Sequence, residues 1–269
     1  MRRLLGAVSL GLALAGGDIN ANASVPLPLV EQASPSLAPL LKQITPAVVS
    51  IATKAGPISA KSSPSGKSQS VQRASTTREP VDRPMRASGS GVVIDAAKGI
   101  ILTNAHVIEG AAEITVAFAD GRELPAVRVG VNTGTDVAVI RAQAEVVPAI
   151  PIGDSDQLQV GDFVLAIGNP FQIGQTVTSG IVSALHRNNL GLERYEDFIQ
   201  TDAAIYPGHS GGALVNLRGE LIGLSTAFLA SGNTHPGMGL AIPINLARAV
   251  ADQILKRGDV RREKPGVMF

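Results

Sequence analysis

The chain has 269 residues, enough for one large all-β domain or two smaller ones, and 23 Lys and Arg against 22 Asp and Glu leave no electrostatic footprint for nucleic acid. Cysteine is absent, which excludes disulfides, a thiol nucleophile and thiolate-bound zinc; tryptophan is absent too, so Val, Ile, Leu and Ala must build the core. In chain order, Arg2-Arg3 followed by an apolar run from Leu4 to about Gly17 reads as an export leader, residues 1–23, with cleavage after Ala23 in the small-x-small stretch Ala21-Asn22-Ala23. A membrane anchor is the competing reading, and it is disfavoured because Asp18 interrupts a run that would need about 20 apolar residues to span a bilayer. Residues 24–45 form an N-terminal segment with a short helical stretch at 37–43, and 46–52 reads as the first strand. From about Lys54 to Ala87 the composition turns to Ser, Pro, Gly, Thr and Gln with several basic residues, a mobile loop that cannot bury enough apolar surface to order itself.

From Ser88 onward short apolar runs alternate with turn residues. Strands are expected at 91–95, 99–103, 114–120, 123–131 and 137–141, with turn chemistry at Asp120-Gly121 and Asn132-Thr133-Gly134. A second series follows at 163–168, 176–185, 198–202, 212–217, 220–226 and 239–243. Many short strands at this spacing indicate barrels or sandwiches, so the fold class is all-β. The one helical period lies at 245–256, where Leu246, Val250 and Ile254 share a stripe and Gly258 follows the end.

Gly208-His209-Ser210-Gly211-Gly212 carries the strongest chemical signal, because glycines around a serine let backbone N–H groups crowd the place where a substrate oxyanion would form. Thr103-Asn104-Ala105-His106-Val107 and Thr135-Asp136-Val137 supply a histidine and an aspartate upstream, in the order His, Asp, Ser of the chymotrypsin-type triad. The same pentapeptide fits the nucleophile elbow of α/β-hydrolases, but that fold needs its acid and then its histidine after the serine. Downstream the only histidine is His235, the only acid between it and Ser210 is Glu220, and a hairpin rather than a helix follows the serine. Taken singly, Ser210 reads as a turn serine, His106 as a core histidine and Asp136 as a turn acid; order and spacing join them. His106, His186, His209 and His235 have no paired spacing, so no metal site and no cofactor are expected.

These motifs, together with Gly168-Asn169-Pro170-Phe171, Thr178-Ser179-Gly180-Ile181-Val182-Ser183 and Gln200-Thr201-Asp202-Ala203-Ala204-Ile205, resemble the protease domain of HtrA/Deg-type serine endopeptidases, over roughly 46–258. The resemblance implies a chymotrypsin-like pair of six-stranded β-barrels with the active site between them, and assembly into homotrimers. It further implies degradation of misfolded or unfolded proteins in the periplasm, with no stable membrane anchor. It covers the protease domain alone, without a PDZ domain, since only a tail at 259–269 follows the helix. His209 and Pro207 depart from the family, which commonly has asparagine and frequently arginine there, so the resting geometry of this loop is open.

On this resemblance Ser210 is the nucleophile, His106 its base, Asp136 the residue that orients the base, and the amides of Gly208 and Ser210 form the oxyanion hole. His209 is not the base, because adjacent side chains point apart; it is left as a loop-packing residue or a modest pH sensor. The floor of the pocket for the residue before the cut falls on Ala204 with Ile205 beside it. Neither is acidic, so cleavage after small or medium aliphatic residues is expected, with Leu224, Ser225, Thr226 and Ala227 as the edge that takes the substrate backbone. A peptide-binding or chaperone-like protein with a latent protease site is the alternative.

Overall fold

The computed structural model describes residues 36–55, 88–142, 148–169, 174–228 and 238–257. The expected leader, nearly all of the loop at 54–87, His235 and the C-terminal tail lie outside the described residues. Both barrels belong to one compact unit that begins at Leu37.

A short helix α1 (Ala38–Ile44) leads into the first barrel, built from β1 (Val48–Ala55), β2 (Ser88–Asp95), β3 (Ile100–Asn104), β4 (Ala111–Ala117), β5 (Glu123–Asn132) and β6 (Val137–Ala142). These close in the order β1-β2-β3-β6-β5-β4. The second barrel comprises β7 (Phe163–Gly168), β8 (Thr176–Arg187), β9 (Phe198–Thr201), β10 (Ala213–Asn216), β11 (Leu221–Phe228) and β12 (Gly239–Pro243), closed in the order β10-β11-β12-β9-β8-β7. Every strand pairing is antiparallel, and closure leaves few backbone donors for edge-to-edge association.

The near-continuous apolar runs have a physical reason in the packing. A strand's side chains alternate between its faces, and several strands here are buried on both. In β6, Ala138, Ile140 and Ala142 fill the first barrel, whereas Val137 and Val139 join a second core that lies between the barrels. In β7, Val164 and Ala166 fill the second barrel while Leu165 and Ile167 join that same shared core. The shared core thus mixes residues of both barrels and turns two closed cylinders into one body.

Helix α2 (Ile244–Arg257) completes the seam, packing against β5 and β6 of one barrel and β11 and β12 of the other. Its buried stripe is Ile244, Ala247, Val250, Ala251 and Ile254. Leu246, expected on the stripe, is only partly buried at its margin, since the stripe runs through Ala247 and Ala251. At the helix start Asn245 donates its backbone N–H to Ser155 Oγ at 3.2 Å and its side-chain amide to Asp154 Oδ1 at 2.7 Å. The first of these satisfies a backbone donor that a helix N-terminus leaves free.

Candidate active site

The first barrel supplies two of the three expected residues. His106 follows the end of β3, and Asp136 ends the turn into β6, the strand that pairs with β3. Asp136 is buried and has φ of 54°, a left-handed conformation that aspartate tolerates better than most residues. Five hydrogen bonds hold it there. Its carbonyl accepts from Ala105 N at 3.1 Å and from Asn104 Nδ2 at 3.0 Å, and its Oδ1 accepts from His106 N at 3.0 Å. Its Oδ2 lies 2.8 Å from His106 Nδ1 and accepts the Thr226 hydroxyl at 2.8 Å. A carboxylate beside Nδ1 keeps the proton on that nitrogen and leaves Nε2 as an acceptor.

The second barrel supplies the serine through a tight turn. His209 N donates to Tyr206 O at 2.9 Å, and Gly208 has φ of 98°. With Pro207 at the first central position and a positive-φ glycine at the second, this is a type II turn, for which both residue types are suited. Among the described residues neither the Gly208 N–H nor the Ser210 N–H meets an acceptor. Gly211 has φ of 80°, and a Cβ on it would stand 2.3 Å from Ser90 O, so no other residue fits there.

The turn is tied to the first barrel by Ser90 of β2. Ser90 Oγ donates to Gly208 O at 2.7 Å and accepts Asn169 N at 2.9 Å; Ser90 N donates to Ser210 O at 2.8 Å. Thr103 Oγ1 in turn donates to Ser90 O at 2.7 Å.

The structure brings His106 and Asp136 into direct contact and joins Ser210 to them through Thr226. Ser210 Oγ donates to Thr226 O at 3.0 Å rather than to the imidazole, and the same Thr226 holds Asp136 by its hydroxyl. Of the expected pocket residues, Ala204 offers its carbonyl to Thr178 Oγ1 at 2.7 Å, and Ile205 is buried in the second barrel's core against Gly239. Leu224 is buried in the shared core and pairs on both sides, with Ala213 and Ile242; Ser225 bonds Gly211 and Gly212 on one side, its N–H to Gly212 O and its carbonyl to Gly211 N, and pairs with Ala241 of β12 on the other. Among the described residues, the pairing of β11 on the side away from β12 ends at Leu224 and the Ser225 bonds, before Thr226. The side chain of Ala227 lies outside the described residues.

Sequence reasoning missed Ser90, the hydroxyl role of Thr226, and Glu193. The segment between β8 and β9 lies over the turn that carries Asp136, with Tyr195 N donating to Gly134 O at 2.9 Å. A cavity of about 670 Å³ between them is lined by His106, Asp136, Glu109, Glu193 and Tyr195 among others. Burial pulls the His106 imidazole down, but the hydrogen bond and charge of Asp136, aided by Glu193 and Glu109, outweigh it and hold the ring above its ordinary value. Burial, with the Asp136 charge adding and the His106 charge opposing, pushes Glu193 up to about 7.

Two closed six-stranded barrels in tandem, sharing a seam at which a His–Asp pair meets a glycine-flanked serine, define the chymotrypsin-like class. A family model described as the trypsin-like peptidase domain matches residues 89–224. The chain is 45% identical over 263 residues to the periplasmic pH-dependent serine endoprotease DegQ of Escherichia coli K12, covering 97% of this chain and 57% of that protein. It is 43% identical over 284 residues to the periplasmic serine endoprotease DegP of the same strain, covering 97% and 60%. An HtrA-type protease, AlgW, solved with a decapeptide, superposes with a TM-score of 0.69 at 42% identity, over 84% of this chain and 69% of that one. The chain belongs to the trypsin-like peptidase family, in its HtrA-type branch. It spans 57–60% of the length of these two curated relatives. Among the described residues no helix is long and apolar enough to cross a membrane.

Proposed function

We propose that the chain is a serine endopeptidase that cuts unfolded or misfolded proteins of the cell envelope through Ser210, His106 and Asp136. The observation that carries this reading is the double engagement of Thr226, whose hydroxyl holds Asp136 while its carbonyl holds the Ser210 hydroxyl, linking the serine to a His–Asp pair already formed at 2.8 Å.

In the reaction Ser210 Oγ turns from the Thr226 carbonyl toward Nε2 of His106 and attacks the scissile carbonyl carbon. The new C–O bond forms as the hydroxyl proton passes to Nε2, and the carbonyl oxygen takes up negative charge facing the N–H groups of Gly208 and Ser210. Each such donor is worth about 3 kcal/mol in another serine protease. Asp136, bonded to Nδ1, stabilises the imidazolium. Collapse breaks the C–N bond, the proton passes to the departing amine, and water activated by the same imidazole releases the acyl group.

The pocket floor at Ala204 and Ile205 carries no charge. Asp202, the acid nearest that floor in the chain, instead accepts the backbone N–H of Ile181 at 2.7 Å. This supports cleavage after Val, Ala or Ile. The relatives are named as periplasmic, which together with the leader at 1–23 supports export to the periplasm, and the family resemblance supports a homotrimer.

Casein digestion by the purified protein beside Ser210→Ala tests the reading, with product masses locating the cuts. The wild type should yield peptides ending in small or medium aliphatic residues and the variant none. Hydrolysis by Ser210→Ala overturns the nucleophile, and cuts mainly after Lys or Arg overturn the pocket. The hydrogen bond from Ser210 to Thr226 rather than to the imidazole favours a second reading, a peptide-binding protein whose protease site stays latent. Fluorophosphonate labelling of Ser210 separates the two, since only an assembled site reacts.

A further inference from the structure

His209 stands next to the proposed nucleophile, is 0% exposed, and has no part in the proton transfer. Its ring faces back into its own turn, where Nδ1 accepts the backbone N–H of Tyr206 at 3.2 Å. A nitrogen that accepts carries no proton, so the ring is neutral with its hydrogen on Nε2, which has no hydrogen-bond partner among the described residues. Tyr206 and His209 therefore clasp each other twice, ring to N–H and N–H to carbonyl, across the turn that holds Gly208. Gly168 at the end of β7 makes room for the ring, since a Cβ there would stand 2.4 Å from His209 Cδ2.

Only the Ala204 carbonyl, among the described residues in the surroundings, favours a charge on the ring. Among the described residues no carboxylate or cation pairs with the ring, whether from β7, from the start of β10 or from the segment between β9 and β10. The titratable group facing it is the Tyr206 phenol, with ring centroids 5.8 Å apart and planes tilted by 55°. Burial pushes the imidazole below its ordinary pKa, opposed by the Ala204 carbonyl.

We propose that His209 is a positioning residue for the peptidase reaction: its neutral ring, by accepting the Tyr206 N–H, fixes the turn that aims the Gly208 N–H at the oxyanion, and protonating it undoes the turn. A proton on Nδ1 would set two donors face to face, so either the ring or the Tyr206–Gly208 backbone must move. The inference rests on the assignment of Ser210 as nucleophile. Acid then inactivates the enzyme in two protonations, one at His106, which removes the base, and one at His209, which removes the anion site.

The test measures kcat and KM against pH with an unstructured peptide for wild type, His209→Asn and His209→Leu, beside Ser210→Ala as the inactive control. In the wild type kcat/KM should fall about tenfold per pH unit through the first protonation and about a hundredfold per unit below the second. His209→Asn, whose amide oxygen can take the Tyr206 N–H, should retain most of kcat and keep the tenfold limb throughout. His209→Leu should lose about tenfold or more in kcat with little change in KM, because the donor is needed most in the transition state. A hundredfold limb that persists in His209→Asn, or a kcat left intact in His209→Leu, overturns the proposal while leaving the nucleophile assignment standing. Hydrolysis by Ser210→Ala overturns both. Should His209→Leu fail to fold, long-range 1H–15N spectra of the wild type decide: the ring must show Nδ1 without a proton at pH 8, and a proton there overturns the proposal.

Discussion

At Asp136 a single residue carries backbone strain, burial and five hydrogen bonds at once, a combination that persists only where the surroundings over-determine it. Its place before β6 was legible from Thr135-Asp136-Val137, because order and spacing put it after the histidine. The partners that fix it were not. The sequence alone places Thr226 on a substrate edge, since a hydroxyl in a strand carries no sign of which way it points until the strand's register is known. Glu193 was silent for the same reason, brought to His106 by a loop that packs across from the other barrel. Its charge helps hold the His106 ring up, so Glu193→Gln should lower the His106 pKa. Hydrolysis requires the neutral base and rises as His106 loses its proton, so the acid limb of kcat/KM should move toward lower pH in this variant. A limb that stays put or moves toward alkali contradicts the assignment.

Among elements, β2 does more than line a barrel. Its sequence Ser88-Gly89-Ser90-Gly91 alternates with glycines, and a Cβ at Gly89 would come within 2.7 Å of Val107 and 3.0 Å of Ser210 O. That run of small residues signals that another segment approaches closely, yet the strand expected from sequence begins only at Gly91, after Ser88, Gly89 and Ser90. Ser90→Ala deletes the donor to Gly208 O and the acceptor for Asn169 N. Leaving such groups unpaired costs about 1–3 kcal/mol, read as a lower midpoint in urea, and kcat should fall more than KM changes because the freed carbonyl belongs to the nucleophile turn. Unchanged stability and kcat would show that β2 does not brace the turn. Strand positions were largely readable, with β7 and β12 matching their expected spans, because turn residues bound short apolar runs. The ends of β4 and β11 were not, since pairing decides them: Ala55 draws in Ala111, and Leu240 and Gly239 carry β11 to Phe228.

For the molecule as a whole, the barrels share a core and α2 packs against both. Composition and periodicity pointed to barrels, but the doubly buried strands explain why alternation was faint: both faces of β3, β6, β7 and β10 needed apolar residues. Ile254 is wholly buried at this seam, and Ile254→Ala should cost about 2–5 kcal/mol, measured by equilibrium unfolding. A shared core also couples the halves, so tyrosine fluorescence and far-ultraviolet dichroism should report one coincident transition; two separate transitions would show independent barrels.

The division of the site between the halves also times its appearance. His106 and Asp136 leave the ribosome before Ser210, Thr226 and β12, so a chain that stops short of the second barrel holds the His–Asp pair without the serine turn. The proposed catalytic triad therefore cannot assemble until the second barrel has been made and has met the first.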